Sequence, residues 1–97
     1  MTIAGDAQLK LEDVPVISSG FRLQWEPAQQ AHVLLYPEGM VKLSASAAEI
    51  MRRVDGVSTV GAIIADLERS FPGAELRADV IAFLATARER GWIGTKA

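Results

Sequence analysis

Cysteine is absent from the 97 residues, which excludes disulfides, thiolate metal sites and a cysteine nucleophile together. Histidine occurs once, as His32, so two imidazoles cannot meet around a metal ion or a transferred proton. Positive charge is scarce as well: ten Lys and Arg face twelve Asp and Glu, a net charge of −2, and no uniform field exists to attract a polyanion. No apolar run approaches the ~20 residues that span a bilayer. The N-terminal "MTIAGDAQLKLEDVPVISSG" carries acidic residues and lacks the apolar core of a signal peptide. A glycine-rich phosphate loop, a His-Glu metal spacing and a Gly-x-Ser-x-Gly elbow are all missing. These absences predict a cytoplasmic, non-catalytic domain with no cofactor, no metal, no membrane span and no nucleic-acid partner.

What is present is a run of short, well-punctuated elements. Residues 1–20 lack sustained periodicity and read as a flexible N-terminal arm, although "VPVI" within it has the composition of a short edge strand. From Phe21 the pattern sharpens: "FRLQWE" alternates Phe21, Leu23 and Trp25 with Arg22, Gln24 and Glu26, the period of a half-buried strand. "AHVLLYP" is a second strand, and Pro37-Glu38-Gly39 supplies the turn chemistry that leads into a third, "MVKLS", with Val41 and Leu43 on one face and Met40 and Lys42 on the other.

Helical grammar follows at once. Ser46 and Glu49 have the spacing of a capping box, Ala47, Ile50, Met51 and Val54 form an apolar stripe, and Gly56 stands where a C-terminal glycine ends a helix. A second helix is expected from Ser58 or Thr59 through Val60, Ile63, Ile64, Leu67 and Phe71 to the stop at Pro72-Gly73, and a third over about 76–90 with Leu76, Val80, Phe83, Leu84 and Ala87 inward. Trp25 and Trp92 are expected as core and rim anchors. Three strands and then three helices predict an α+β domain over residues 21–93 with a winged helix-turn-helix outline, a three-stranded antiparallel sheet followed by a three-helix bundle, and a short tail at 94–97.

Such a scaffold serves one of two ends. A DNA-binding winged helix presents its third helix to the groove, but here Arg77, Arg88 and Arg90 are interleaved with Glu75, Asp79 and Glu89, which phosphates repel. The third strand, in contrast, ends the sheet with unpaired backbone groups, and a strand edge beside a helix is a docking place for an extended peptide or for a second copy of the chain as a homodimer.

The stretch "LLYPEGMVKLSASAAEIMRRVDGVSTVGAIIADLERSF", followed by "DVIAFLATARERGWI", resembles the PqqD family of pyrroloquinoline quinone (PQQ) biosynthesis. Pro37, Glu38, Gly39, Leu43, Ala47, Ile50, Asp55, Gly56, Thr59, Val60, Asp79, Val80, Phe83, Leu84 and Gly91 carry the resemblance, which runs from about Phe21 to Ile93. Ser44 stands where asparagine is expected and Arg53 where a smaller or apolar residue is common. The resemblance implies a recognition domain for ribosomal peptides that binds the precursor PqqA and presents it to the radical S-adenosylmethionine enzyme PqqE. A recognition domain of another peptide-modification pathway has the same outline. The implied peptide groove is lined by Met40, Val41, Lys42 and Leu43 on the strand side, and by Arg77, Val80, Ile81, Leu84 and Arg88 on the third helix, with Val80 and Leu84 as floor. Lys42 and the arginines would suit an acidic peptide.

Overall fold

The computed structural model describes residues 9–96. Five strands and three helices follow in the order β1 (Val14–Ile17), β2 (Arg22–Glu26), β3 (Ala31–Tyr36), β4 (Gly39–Lys42), α1 (Ala45–Met51), α2 (Val60–Ser70), α3 (Arg77–Glu89) and β5 (Ile93–Lys96). The expected α+β plan is present, with an antiparallel sheet ordered β2-β3-β4 and three helices packed on it.

The sheet follows from alternation and turn chemistry. β2 pairs β3 with Leu23 opposite Leu34, and β3 pairs β4 with Leu34 opposite Val41, so one face stacks Leu23, Leu34 and Val41 toward the helices. Phe21 stacks on Tyr36 at the end of that face, ring centroids 5.3 Å apart. β3 is buried on both sides, for Val33 and Leu34 are both fully inaccessible. Pro37 and Glu38 form a two-residue hairpin loop that closes on the Tyr36–Gly39 pair. The fixed φ of proline suits the first of these positions.

Helix boundaries depart from the expected ones in two places. α1 is capped by Ser44, whose hydroxyl accepts from the Ala47 amide at 3.1 Å, and not by Ser46; Glu49 turns to Arg52 and Arg53 instead of reaching back. The buried Leu43 fixes the chain one residue before Ser44, and Ser46 is already the second residue of the helix. Gly56 does not close α1, which ends at Met51. It lies in the following turn with φ 77°, while the Asp55 carboxylate accepts from the amides of Val57 at 2.9 Å and Ser58 at 2.7 Å. Those bonds hold the Asp55 carboxyl below its ordinary pKa, the Ser58 amide contributing most. Thr59 caps α2 as expected, its hydroxyl accepting from Ala62.

The largest departure concerns the two ends of the chain. Residues 1–8 and 97 lie outside the described residues, but the rest of the expected arm and tail are built into the fold. β1 pairs β5 antiparallel from Val14–Lys96 to Ile17–Ile93, making a second, two-stranded sheet from the segments read as arm and tail. Leu9 is buried in the main core and Pro15 is fully inaccessible. The segment between them straps the first turn of α2: the Val60 amide donates to the Asp13 carbonyl at 2.8 Å and the Gly61 amide to the Leu11 carbonyl at 2.9 Å. Amides that a helix start leaves without intrahelical partners are thereby satisfied by backbone from elsewhere. Trp25 is not a core anchor, being 52% exposed with its ring edge-on to His32; Trp92 does pack on the core, beneath Arg90.

Gly61 allows the strap to approach, because a Cβ there would lie 3.4 Å from the Leu11 carbonyl oxygen and 3.7 Å from Leu11 Cβ. Gly61→Leu is therefore expected to lower stability in urea unfolding by about 1–3 kcal/mol through overpacking. Gly61→Ala is expected near neutral, since a helix-propensity gain of about 1 kcal/mol offsets the tight contact. Wild-type stability for Gly61→Leu would mean that residues 11–13 do not bear on α2.

Candidate recognition cleft between the strand edge and α3

Among the described residues β4 has a neighbour on one side only. Its Leu43 amide donates to the His32 carbonyl at 3.0 Å, which fixes the phase of the ladder. Backbone groups in an antiparallel pair alternate in direction, so Val41 and Gly39 face β3 while Met40 and Lys42 turn their N–H and C=O outward. Side chains alternate across the other axis: Val41 and Leu43 point to the core, and Met40, 46% exposed, and Lys42 to solvent.

Beyond Leu43 the extended direction lasts one more residue. Ser44 has φ −66° and ψ 165°, and with it the chain enters a cleft of about 620 Å³. Ser44, Ser46, Ala47, Glu49 and Ile50 form one wall, and Leu76, Asp79, Val80 and Phe83 of α3 the other. Leu67 of α2, with Phe71 just past its end and Ala74, completes the lining. The surface is mainly apolar, and the volume falls in the range of about 300–1,000 Å³ typical of ligand sites. Phe71, expected on the inward stripe of the second helix, is 45% exposed at the rim because α2 ends at Ser70 and Pro72-Gly73 turns the chain away.

The residues named for the groove fall into three groups. Met40, Val41, Lys42 and Leu43 lie along β4, with Leu43 and Val41 already engaged in the core. Val80 and Leu84 are buried, and Val80 is the one of the nine that lines the cleft. Arg77, Ile81 and Arg88 lie on the other flank of α3: with about 100° per residue, they are about 60–100° from Val80 on the side opposite Asp79 and Phe83. Ile81 packs against the core from that side. Leu76, Asp79, Phe83, Phe71 and Glu49 are among the cleft residues that periodicity did not single out for the site. The one available signal was that Phe83 and Phe71 are large aromatics at the margin of their helical stripes, where a side chain is shared between core and surface.

The wall formed by α1 is braced electrostatically. Arg53 donates to the Glu49 carboxylate and carbonyl at 2.9 and 2.8 Å, to Asp66 at 2.5 Å and to the Ser70 hydroxyl at 3.3 Å, tying α1 to the length of α2. The Arg53 hydrogen bond is the main reason that Glu49 and Asp66 both have pKa values below the ordinary carboxylate range, and Glu49 in turn raises that of Arg53. Arg53 thus has a structural post at a position where a smaller or apolar residue was expected. Among the described residues no three His, Asp or Glu side chains converge as a metal site, and no helix is long and apolar enough to cross a membrane.

A winged-helix-like domain with an unpaired strand edge running into an apolar cleft belongs to the class of small recognition modules. The family model described as Coenzyme PQQ synthesis protein D (PqqD) matches residues 31–93. A PqqA binding protein of Stutzerimonas stutzeri is 56% identical over 88 residues, spanning 90% of this chain and 96% of the relative; one from Azotobacter vinelandii is 53% identical over the same shares. Among solved structures, the solution structure of the PqqD truncation of Methylobacterium extorquens PqqCD, a stand-alone recognition element for ribosomally synthesized and post-translationally modified peptides, matches with a TM-score of 0.75 at 28% identity, covering 91% of this chain and 96% of that one. The crystal structure of PqqD from Xanthomonas campestris matches with a TM-score of 0.52 at 30% identity, covering 79% and 88%. The chain belongs to the PqqD family.

The Arg53 clasp makes a pH prediction. Glu49 and Asp66 have lowered pKa values in the fold, so on acidification the unfolded chain takes up protons first and the stabilisation present above the unfolded pKa values is lost as pH falls. Arg53→Met is expected to cost about 1–2 kcal/mol near neutral pH, the scale of a few partly exposed charged hydrogen bonds. It is also expected to flatten the decline between about pH 5 and 3 in denaturant titrations. An unchanged acid limb would show that Arg53 does not set those carboxylates.

Proposed function

We propose that the chain binds the precursor peptide PqqA as an added strand along β4, with peptide side chains entering the cleft between α1 and α3. In this reading it is a non-catalytic chaperone of PQQ biosynthesis that acts in the cytoplasm and presents the bound peptide to PqqE. The observation that carries the reading is the outward-turned backbone of Met40 and Lys42 leading without a break into the cleft, in a chain whose relatives are named PqqA binding proteins. Main-chain hydrogen bonds to the edge would supply affinity that is indifferent to peptide sequence, and the cleft would supply selection. The role of PqqE as recipient follows from the family resemblance, in which the radical enzyme joins a glutamate and a tyrosine side chain of the peptide. Of the groove residues first named, Met40 and Lys42 would pair with the peptide, Val41, Leu43, Val80 and Leu84 would form the floor beneath it, and Arg77, Ile81 and Arg88 would meet segments that cross over α3.

A calorimetric titration of the full chain with synthetic PqqA, and in parallel with mixed-sequence duplex DNA, tests the reading. Lys42→Pro removes one outward amide without touching the ladder to β3, so it is expected to weaken PqqA binding at least tenfold, about 1.4 kcal/mol, with the fold intact. Lys42→Ala, which keeps the amide, is expected to change binding less. Equal affinities for the wild type and Lys42→Pro would take the β4 edge out of the site. Salt-sensitive DNA binding without a PqqA signal would replace the peptide reading with a DNA-binding winged helix, and a concentration-dependent dimer that PqqA does not dissociate would assign the edge to a second copy.

A further inference from the structure

The cleft has a charge signature opposite to the one the basic residues of the sequence suggest. Two carboxylates, Glu49 and Asp79, are among its lining residues, and among the described residues no Lys, Arg or His lines it. They are not equivalent. Glu49 is held by Arg52 and Arg53 and is largely neutralised within the clasp. Asp79 stands across the cleft in the first turn of α3, exposed, next to the apolar surface of Leu76, Val80 and Phe83. The arginines that would favour an acidic ligand, Arg77 and Arg88, project from the other flank of the same helix.

We infer that the cleft is a selectivity subsite for a basic residue of the bound peptide, whose methylene stem, with an adjoining apolar side chain, lies against Leu76, Phe83 and Phe71 while its cationic end meets Asp79. Three features favour this occupant. The apolar walls match the aliphatic stem of Lys or Arg, which keeps its charged head at a wet rim while the stem is buried. The Asp79 carboxylate is complementary to that head, and an acidic side chain in the same place would be repelled by it, Arg52 and Arg53 being engaged with Glu49. The cleft of about 620 Å³ is also larger than one side chain requires, which leaves room for the apolar neighbour. The inference rests on the peptide-binding reading above and adds to it the chemical class of the residue read.

The experiment is a charge swap at one pair. Asp79→Lys and Asp79→Asn are made in the full chain, and binding is measured against synthetic PqqA and against a set of PqqA variants in which each Lys or Arg is changed singly to Glu. Asp79→Lys is expected to weaken binding of the parent peptide at least tenfold, with Asp79→Asn intermediate. One Lys→Glu or Arg→Glu peptide is expected to bind Asp79→Lys at least tenfold better than it binds the wild type. Thermal unfolding of both variants within a few degrees of the wild type keeps the comparison one of recognition. Unchanged affinity for Asp79→Lys, or a loss that no single peptide substitution rescues, overturns the subsite while peptide binding itself stands. Absence of PqqA binding to the wild type overturns the underlying reading and the subsite with it.

Discussion

The passage from β4 into α1 turns on two adjacent residues, and the site depends on it. Leu43 is buried and donates its amide to His32, which makes it the last rung of the sheet. Ser44 keeps the chain extended for one residue more, accepts from the Ala47 amide at its hydroxyl and from the Ala48 amide at its carbonyl, and starts the helix. With no linker between them, the strand runs directly into the first turn of α1, which forms one wall of the cleft, and α3 lines the wall opposite. A longer connection would let the helix drift from the edge, and cleft and strand would become separate features. The shortness of the hinge keeps the strand edge and the cleft adjacent in a chain of 97 residues.

Two other devices hold that geometry in place. Arg53 ties α1 to α2 through charge-assisted hydrogen bonds. The N-terminal strap fixes the start of α2 through the carbonyls of Leu11 and Asp13, and is itself held by β5 from the far end of the chain. Between them lies one continuous core in which Leu34, Met51, Ile63, Val80 and Leu84 meet from the sheet and all three helices. Burial is the dominant favourable term in such a small fold. The polar contacts define where its helices stop and how they are spaced.

The elements of the middle of the chain were legible because their signals are local. Alternation of Leu23 and Trp25 with Gln24, the Pro37-Glu38-Gly39 turn, the Thr59 cap and the Pro72-Gly73 stop each act within a few residues, and each element lies where those signals put it. The β1–β5 sheet was not legible in the same way, although the strand character of "VPVI" was, because pairing Val14 with Lys96 joins opposite ends of the chain and leaves no periodic trace. The choice of Ser44 over Ser46 was hidden for a related reason: both serines suit a cap, and where the chain enters the helix depends on the fold around the buried Leu43. The outward and inward faces of β4 could be drawn from alternation alone, whereas the flank of α3 that borders the cleft depends on how that helix rolls against α1 and α2.

The sequence by itself determined the class of elements, their order, the lack of thiol and paired-imidazole chemistry, and the family resemblance, since composition, periodicity and turn residues are properties of the chain before it folds. Tertiary structure alone decided that the chain ends form a sheet, that Phe71 and Phe83 border a cleft, and that Asp79 rather than Arg77 or Arg88 faces it. The reason is geometric. A helical stripe says which residues are apolar and not which neighbour each flank will meet; that is settled only when three helices and a sheet pack around one core.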